Sequence, residues 1–306
     1  MRPFPIATVR VLIALLVAVP GLVGPGRASA QSGVEDAIKQ LTGENAKGYF
    51  QPMGDLLGAD LNAGFFRSAA VQKRGFHLSF DIIAMGALVG DDQKTYMATA
   101  PAGFSPATFK TATIFGGTGT IVQDTGFPWA SYRGSDGVFN TSIMPAAVPQ
   151  ITFGSVYGTD AIIRLVATPK IGEDIPSGVL WSLGARHSIS QYFPTLLFDV
   201  AVAGVYSKMK VGDYIDFGGL IIGAHASKQF SVVTLYGGLA WEKSTVNLSY
   251  RSANPSEPVD VDIDLDGANS VRFMAGFQLT FGVFHLFADA NLGSVTHFSG
   301  GFGFGN

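Results

Sequence analysis

The stretch VDVDIDLDGANSVRFMAGFQLTF, from Val259 to Phe281, decides the fold class of this chain. Its odd-numbered positions are mostly apolar, whereas its even-numbered positions carry four aspartates, Arg272, Gln278 and Thr280. Because side chains alternate between the two faces of a strand, this pattern predicts one long strand with one apolar and one polar face. A strand that crosses a bilayer needs about 9–11 residues, so part of this one is expected to project beyond the membrane.

Similar alternation recurs along residues 73–306 and predicts an all-β protein, a transmembrane antiparallel up-and-down β-barrel. About ten strands can be counted, or about twelve if a possible hairpin at Thr111–Gln123 joins the wall. The apolar parity changes at Val246, Leu248 and Tyr250, which predicts a β-bulge in that strand.

Along the chain, short and long connections between these strands mostly alternate. Short turns at Tyr157–Thr159, Ser227–Phe230 and Gly282 are predicted to be periplasmic, and the long loop 90–149 to be extracellular. With an even number of strands, both termini are expected in the periplasm.

The composition favours a membrane β-barrel over a helical membrane protein. Hydrophobic residues make up 47% of the 306 residues, charged residues 14% and aromatic residues 12%, and glycine occurs 39 times. Beyond the N-terminus no apolar run reaches the roughly 18 residues of a membrane-spanning helix. A soluble β-sandwich or barrel is the alternative. The absence of cysteine excludes disulfides, and the net charge of −3 gives no case for a nucleic-acid partner.

The N-terminus has the features of a secretory signal peptide over residues 1–30. Arg2 and Arg10 precede an apolar core, Val11–Val19, and the small residues Ala28-Ser29-Ala30 follow. A signal peptide followed by amphipathic strands predicts the outer membrane of a Gram-negative cell.

Residues 31–72 do not have the pattern of barrel strands. Val34 to Leu41 keep helical spacing, and a second apolar cluster follows, in which Pro52 and Gly54 are expected to keep any helix short. The segment is predicted to be a helical plug inside the barrel or a periplasmic arm, with an ordered tail of no transport role as the alternative. The cluster contains Tyr49, Phe50, Met53, Leu56 and Leu57.

Ionisable residues on the predicted inward face are the candidate binding residues. They could line a polar pathway or bind a ligand headgroup; alternatively, they form salt-bridged pairs that hold the wall together. Neither interpretation predicts strong ion selectivity, since both charge signs occur. The candidates are Asp81, Arg164, Arg186, Asp199, Glu242, Arg272, His285 and Asp289.

The aspartate run matches the start of an EF-hand loop, D-x-D-x-D-G, which makes Asp262, Asp264 and Asp266 a weak metal-site candidate. Position 12 of such a loop would be Phe273 instead of glutamate, and the apolar alternation indicates a strand. The run is therefore more simply a solvated extension of the strand. No cofactor is predicted.

Catalytic patterns are sparse, and the protein is predicted not to be an enzyme. The sequence contains no Gly-x-Ser-x-Gly or His-Glu-x-x-His motif, and His187 and Ser188 are neighbours that a strand would turn to opposite faces. An outer-membrane lipid-modifying enzyme is kept as an alternative. Tyr206, Tyr214 and Trp241 are predicted to form interfacial aromatic girdles.

Four stretches of the sequence resemble an uncharacterised family of bacterial outer-membrane β-barrels. That family is distantly similar to the outer-membrane transporters of long-chain fatty acids and aromatic hydrocarbons. The stretches are GYFQPMGDLLGADLNAGFF (Gly48–Phe66), KRGFHLSFDI (Lys73–Ile82), TATIFGG (Thr111–Gly117) and PQITFGSVYGTDAIIRLVATPKI (Pro149–Ile171).

The resemblance implies passive transport of small, hydrophobic molecules. In those transporters an N-terminal hatch fills the barrel and a lateral opening releases the ligand into the bilayer; residues 31–72 occupy the position of the hatch. The transporters have about fourteen strands, so the expected range here is about 10–14. No binding residue can be matched. A barrel with a sealed lumen is the alternative, and the expected partners are outer-membrane lipid, a hydrophobic ligand and the barrel-assembly machinery.

Overall fold

The computed structural model describes residues 41, 43–71, 73–170, 176–251 and 260–305. The predicted signal peptide and the helical spacing before Leu41 lie outside these ranges. Within them, no helix is both long and apolar enough to cross a membrane.

The described chain forms one α-helix, α1 (Gly43–Leu61), followed by fifteen strands. The strands are β1 (Arg74–Leu88), β2 (Thr95–Thr99), β3 (Thr108–Ala112), β4 (Ile121–Gln123), β5 (Ser131–Arg133), β6 (Ile143–Val156), β7 (Thr159–Thr168), β8 (Gly178–Ser188), β9 (Asp199–Val211), β10 (Ile215–Phe230), β11 (Val233–Arg251), β12 (Asp260–Asp266), β13 (Val271–Phe281), β14 (Phe284–Leu292) and β15 (His297–Gly305).

Eleven of these strands form a single antiparallel sheet that closes on itself through the pairing of β10 with β11. Because β12 and β13 both pair with β11, they fill one place in the wall, and the barrel has ten wall positions. The predicted up-and-down barrel is confirmed, at the lower end of the expected strand range. The hairpin predicted at Thr111–Gln123 is wrong: β3 pairs with β2 and β4 pairs with β5, and neither pair joins the wall.

The stretch from Val259 to Phe281 does not keep one apolar face. Ile263 and Leu265 of β12 are buried inside the barrel, whereas Val271 and Phe273 of β13 are exposed on its outside. Between the two strands, four residues of this stretch oppose three residues of β11, which is a β-bulge. The extra residue reverses the facing of the side chains, so the prediction of one continuous strand is wrong at residues 267–270.

Strand β11 is continuous, and the bulge predicted near Val246 is absent from it. Its even-numbered residues face inward throughout, from Glu242 to Val246, Leu248 and Tyr250. The apolar parity changes because the lumen changes from polar to apolar along the strand, where α1 packs against the wall. Apolar side chains are then favoured on the inside as well.

The two ends of the barrel differ in their connections, as predicted, with exceptions. The long-loop end carries the connections between β1 and β6, between β7 and β8, and between β11 and β12, and also the short connections 212–214 and 293–296. The short-turn end carries tight turns at 157–158, 231–232 and 282–283, and also the longer segment 189–198. The predicted turn at Ser227–Phe230 is wrong, since those residues belong to β10. The predicted loop 90–149 is too long, because β6 begins at Ile143.

The outside of the wall is an apolar belt of the kind that faces lipid. Outward-facing positions in the middle of the strands are large and exposed, while their sequence neighbours are buried in the lumen. Examples of the outward residues are Leu183, Val202, Ile222, Leu239, Phe273 and Phe277.

Helix α1 lies inside the barrel in its long-loop half. Its apolar residues Tyr49, Phe50, Met53, Leu56 and Leu57 are almost fully buried against the wall. Burying each such side chain contributes about 1.5–3 kcal/mol, which stabilises the helix inside the barrel. The helix continues through Pro52 and Gly54, and the prediction that these residues keep it short is wrong.

The described part of the N-terminal segment begins at the long-loop end of the barrel. Asn45 near the start of α1 bonds to Thr99 in the loop region, at the long-loop end. Ala69 then bonds to Ser227, near the short-turn end where β1 begins. Residues 43–71 therefore run through the lumen from the long-loop end to the short-turn end, where β15 also ends. The predicted periplasmic position of the N-terminus lies outside the described residues.

Gly58 allows α1 to approach the wall closely. A Cβ atom at Gly58 would lie 2.0 Å from Ser244 Oγ and 3.0 Å from Ser244 Cβ. We expect Gly58→Ala to destabilise the folded protein by about 1–3 kcal/mol through overpacking, although alanine favours helix. Urea-induced unfolding in lipid vesicles would measure this. Adding Ser244→Gly should recover part of the loss; no recovery would contradict this contact.

Candidate functional site in the barrel lumen

The lumen has an apolar half and a polar half, which meet where α1 ends. In the long-loop half, α1 packs against apolar wall residues such as Met85, Met144, Met209 and Phe217. In the other half the wall is polar, and the extended residues 62–71 run through it. The described part of the predicted plug, residues 43–71, thus occupies both halves.

Arg272 binds the wall and the plug at once. Its Nε and Nη2 atoms donate to the Glu242 carboxylate at 3.1 and 2.7 Å. Its Nη1 and Nη2 atoms donate to the backbone oxygens of Asn62 and Ala59, both at 2.9 Å. Arg272 is almost completely buried, so these four bonds satisfy a guanidinium that water does not reach.

Arg164 binds the plug at the residues that follow those bound by Arg272. Its Nη2 atom donates to the backbone oxygen of Ala63 at 2.7 Å, and its Nε donates to Gln150 Oε1 at 3.0 Å. The guanidinium carbon also lies 3.5 Å from the ring centre of Phe65, a cation–π contact. Arg164 thus holds the plug through a carbonyl and an aromatic ring.

Arg186 makes the third contact of this kind, closer to the short-turn end. It donates to the Asp160 carboxylate and to the backbone oxygen of Ser68, each at 2.5 Å. His77 Nδ1 lies 3.3 Å from the same carboxylate. Three wall arginines therefore bind backbone oxygens of the plug between residues 59 and 68.

Asp81 receives the reciprocal contact, from an arginine of the plug itself. Arg67 donates to both oxygens of Asp81, at 2.9 and 2.7 Å, and lies over the ring of Phe287. His285 Nε2 lies 2.6 Å from Asp81 Oδ1, and Ser79 donates to Oδ2 at 2.8 Å. The carboxylate links the plug to β1 and β14.

The remaining two candidates lie apart from these plug contacts. Asp289 accepts hydrogen bonds from Tyr236, Asn291 and Ser299, all from the wall. Asp199 begins β9, where it is half-buried and pairs in register with Ser227. Seven of the eight predicted lumen residues are thus buried inside the barrel.

The sequence interpretation missed the residues that complete this network. Arg67 lies in the predicted plug, where no strand alternation predicts the direction of its side chain. Asp160 and Gln150 lie on predicted strands or beside them, at positions where alternation alone could have marked them as inward. The plug carbonyls give no sequence signal at all, since every residue has one.

A cavity of about 240 Å³ lies in the polar half of the lumen. Polar and charged side chains dominate its lining, and Phe65 and Ile162 add apolar surface. Arg67 and Arg186, which line it, are each neutralised by an aspartate. The main role of these charged residues is therefore to hold the plug against the wall, and their charges are not free to bind a ligand in the cavity.

The wall has a gap between β6 and β7 toward the long-loop end. β6 pairs with β1 along its whole length, but with β7 only over residues 150–156. β7 continues to Thr168 in register with β8 alone. Pro145 and Pro149 lie in the unpaired part of β6 and have no N–H to donate to β7. The gap adjoins the apolar half, because Met144 and Val148 face α1.

The aspartate run and two of the three predicted girdle aromatics lie on the outside of the barrel, unlike the lumen candidates. Asp262 and Asp264 face outward from β12 and accept hydrogen bonds from Asn247 Nδ2. Among the residues that the structure describes, no group of three or more His, Asp or Glu is arranged to hold a metal ion. Tyr206 and Trp241 face outward as a girdle would, but Tyr214 packs against the apolar core, which contradicts its prediction.

Comparison with known proteins identifies the family. The family described as "Family of unknown function (DUF6588)" matches residues 7–306. This chain belongs to that family. No curated protein matches the chain in sequence.

The chain also resembles several solved structures, but the sequence identities and TM-scores are low. The translocator domain of the autotransporter NalP from Neisseria meningitidis has 10% identity over 76% of this chain and 88% of its own, with a TM-score of 0.32. The toluene transporter TbuX from Ralstonia pickettii has 8% identity over 88% and 98%, with a TM-score of 0.23. Similarity at this level does not transfer a function.

Proposed function

We propose that this protein lets small hydrophobic molecules cross the outer membrane passively. The gap between β6 and β7 is the observation that carries the proposal. It offers an apolar molecule a route between the lumen and the bilayer that avoids water. The route begins beside residues 143–149 of β6, on the apolar side of the plug.

The apolar half of the lumen supports the same proposal. Channels for polar solutes have polar, water-filled interiors. Here Met53, Met85, Met144 and Met209 line the contact between α1 and the wall. Methionine is unbranched and flexible, so it can repack around apolar molecules of different shapes. Such a contact suits a small displacement of α1 that admits a hydrophobic ligand.

The outer-membrane location rests on the predicted signal peptide together with the apolar outer belt of a closed barrel. Outer-membrane lipid is then the surrounding partner, and the barrel-assembly machinery the partner during insertion. The proposal assigns no catalytic step and no cofactor.

A sealed, structural barrel is the second candidate. The observation that favours it is the nearly complete burial of α1 in the long-loop half of the lumen. Uptake of hydrophobic molecules separates the two candidates.

We expect Pro145→Val with Pro149→Val to reduce uptake by restoring two backbone donors that can extend the β6–β7 ladder. The measurement is accumulation of a radiolabelled hydrophobic molecule, such as a fatty acid or an aromatic hydrocarbon. It is made in a strain that lacks the gene and carries either form. The wild-type form should restore accumulation, and the double variant should restore it only in part.

Pro128→Val, in the loop between β4 and β5, is the matched control and should behave as wild type. If the gene makes no difference to the uptake of any hydrophobic molecule tried, the sealed barrel is the better account. If the double variant takes up as much as wild type, the gap is not the route.

A further inference from the structure

The outside of the wall has a row of aromatic residues toward the long-loop end of β8, β9 and β11. Trp181, Tyr206 and Trp241 face outward and are each about two-fifths to one-half exposed. The rings of Trp181 and Tyr206 lie 5.6 Å apart. Tryptophan and tyrosine are enriched where acyl chains meet headgroups, so this row marks the headgroup level.

Lysines lie just beyond this row, on the same outer face. Lys208 and Lys210 follow Tyr206 along β9, and Lys243 follows Trp241 along β11. Lys208 and Lys210 lie 3.5 and 3.2 Å from the carboxylate of Asp216, so two ammonium groups share one carboxylate. Lysines at this level meet the phosphates of membrane lipids.

Gly218 leaves a notch in the middle of these residues. It is the register partner of Lys208 on one side and of Thr245 on the other. A Cβ atom at Gly218 would lie 3.7 Å from Thr245 Oγ1 and 4.0 Å from the hydroxyl of Tyr206. Two hydroxyl groups therefore converge on a space that a side chain would otherwise fill.

We propose that this notch binds the phosphate of a phosphorylated lipid in the outer leaflet. Thr245 and Tyr206 would donate hydrogen bonds to the phosphate oxygens, and Lys208 and Lys243 would supply the charge. A membrane lipid fits better than free phosphate, because the apolar belt continues directly below the notch through Leu220 and the aromatic row.

The acidic strand β12 bounds the site on one side. Asp264 and Asp266 are register partners of Asn247 and Thr245, and Asn247 donates to Asp262 and Asp264. Carboxylates repel phosphate, so the lipid headgroup lies over β9, β10 and the edge of β11 that faces β10, away from β12.

The test compares lipid binding by the purified full-length protein in detergent, measured by native mass spectrometry. The probe is lipid A, a bisphosphorylated glycolipid, with its dephosphorylated form as the chemical control. Wild type should bind lipid A and bind the dephosphorylated form weakly. Lys208→Gln with Lys243→Gln should weaken binding about 10–30-fold. Lys228→Gln removes one positive charge from the outer face at the short-turn end, away from the notch, and should leave binding unchanged.

Gly218→Val keeps every charge and fills the notch. Its Cβ would make only ordinary contacts, and valine is favoured in strands, so the barrel should fold normally. Heat-modifiable mobility on gels checks folding. Loss of lipid A binding in this variant is the expected result. Equal binding by Gly218→Val, equal binding of dephosphorylated lipid, or inorganic phosphate binding as tightly as lipid A would each overturn the proposal.

Discussion

Arg272→Met is expected to lower the free energy of unfolding by about 3–5 kcal/mol, the usual cost of removing one partner of a buried ion pair. The variant leaves the Glu242 carboxylate buried without its cation, and it removes the donors to Ala59 and Asn62 at the end of α1. Urea-induced unfolding in lipid vesicles measures the loss. Trypsin cleavage after Arg67, which is buried in wild type, reports whether the plug is released.

Two further variants separate the cost of the unpaired Glu242 charge from the cost of the lost bonds to the plug. Arg272→Met with Glu242→Met removes the stranded charge and should recover part of the stability, while the plug should stay sensitive to trypsin. Arg133→Ala breaks the exposed ion pair with Asp136 in the loop region, and it should cost no more than about 1 kcal/mol. A loss at Arg272 as small as the loss at Arg133 would show that the network does not hold the plug.

The barrel itself was predictable because lipid imposes a simple rule on the outside of each strand. Alternation over β9, β13 and β14 reflects one apolar and one polar environment, so the strands and their facing could be inferred. The rule fails where the inside is apolar too. In β12 and the end of β11, the wall packs against α1, and Ile263 and Val246 imitate outward-facing residues.

The inward location of the candidate residues was predictable for the same reason, but their role was not. Arg164, Arg186 and Arg272 could be assigned to the lumen from the parity of their strands. Their binding of plug carbonyls depends on the path of residues 59–68 through the lumen, which no side-chain pattern encodes. The reversal at residues 267–270 is likewise set by one extra residue, which apolar alternation on both sides concealed.

Deletion of residues 43–71 is expected to convert a closed barrel into an open channel. These residues fill both halves of the lumen, and the ten-stranded wall closes without them. The wall pairs Arg272–Glu242 and Arg186–Asp160 should keep the emptied lumen polar at its short-turn half, where water and ions can enter. Heat-modifiable mobility on gels would verify that the shortened protein still forms a barrel.

Single-channel conductance in planar bilayers is the most direct test of the central claim, that residues 43–71 close the lumen of a membrane barrel. If these residues close the lumen, the full-length protein should show no stable channel openings, and the folded deletion variant should show discrete, long-lived openings. Equal conductance of the two proteins, whether both are silent or both are open, would contradict it.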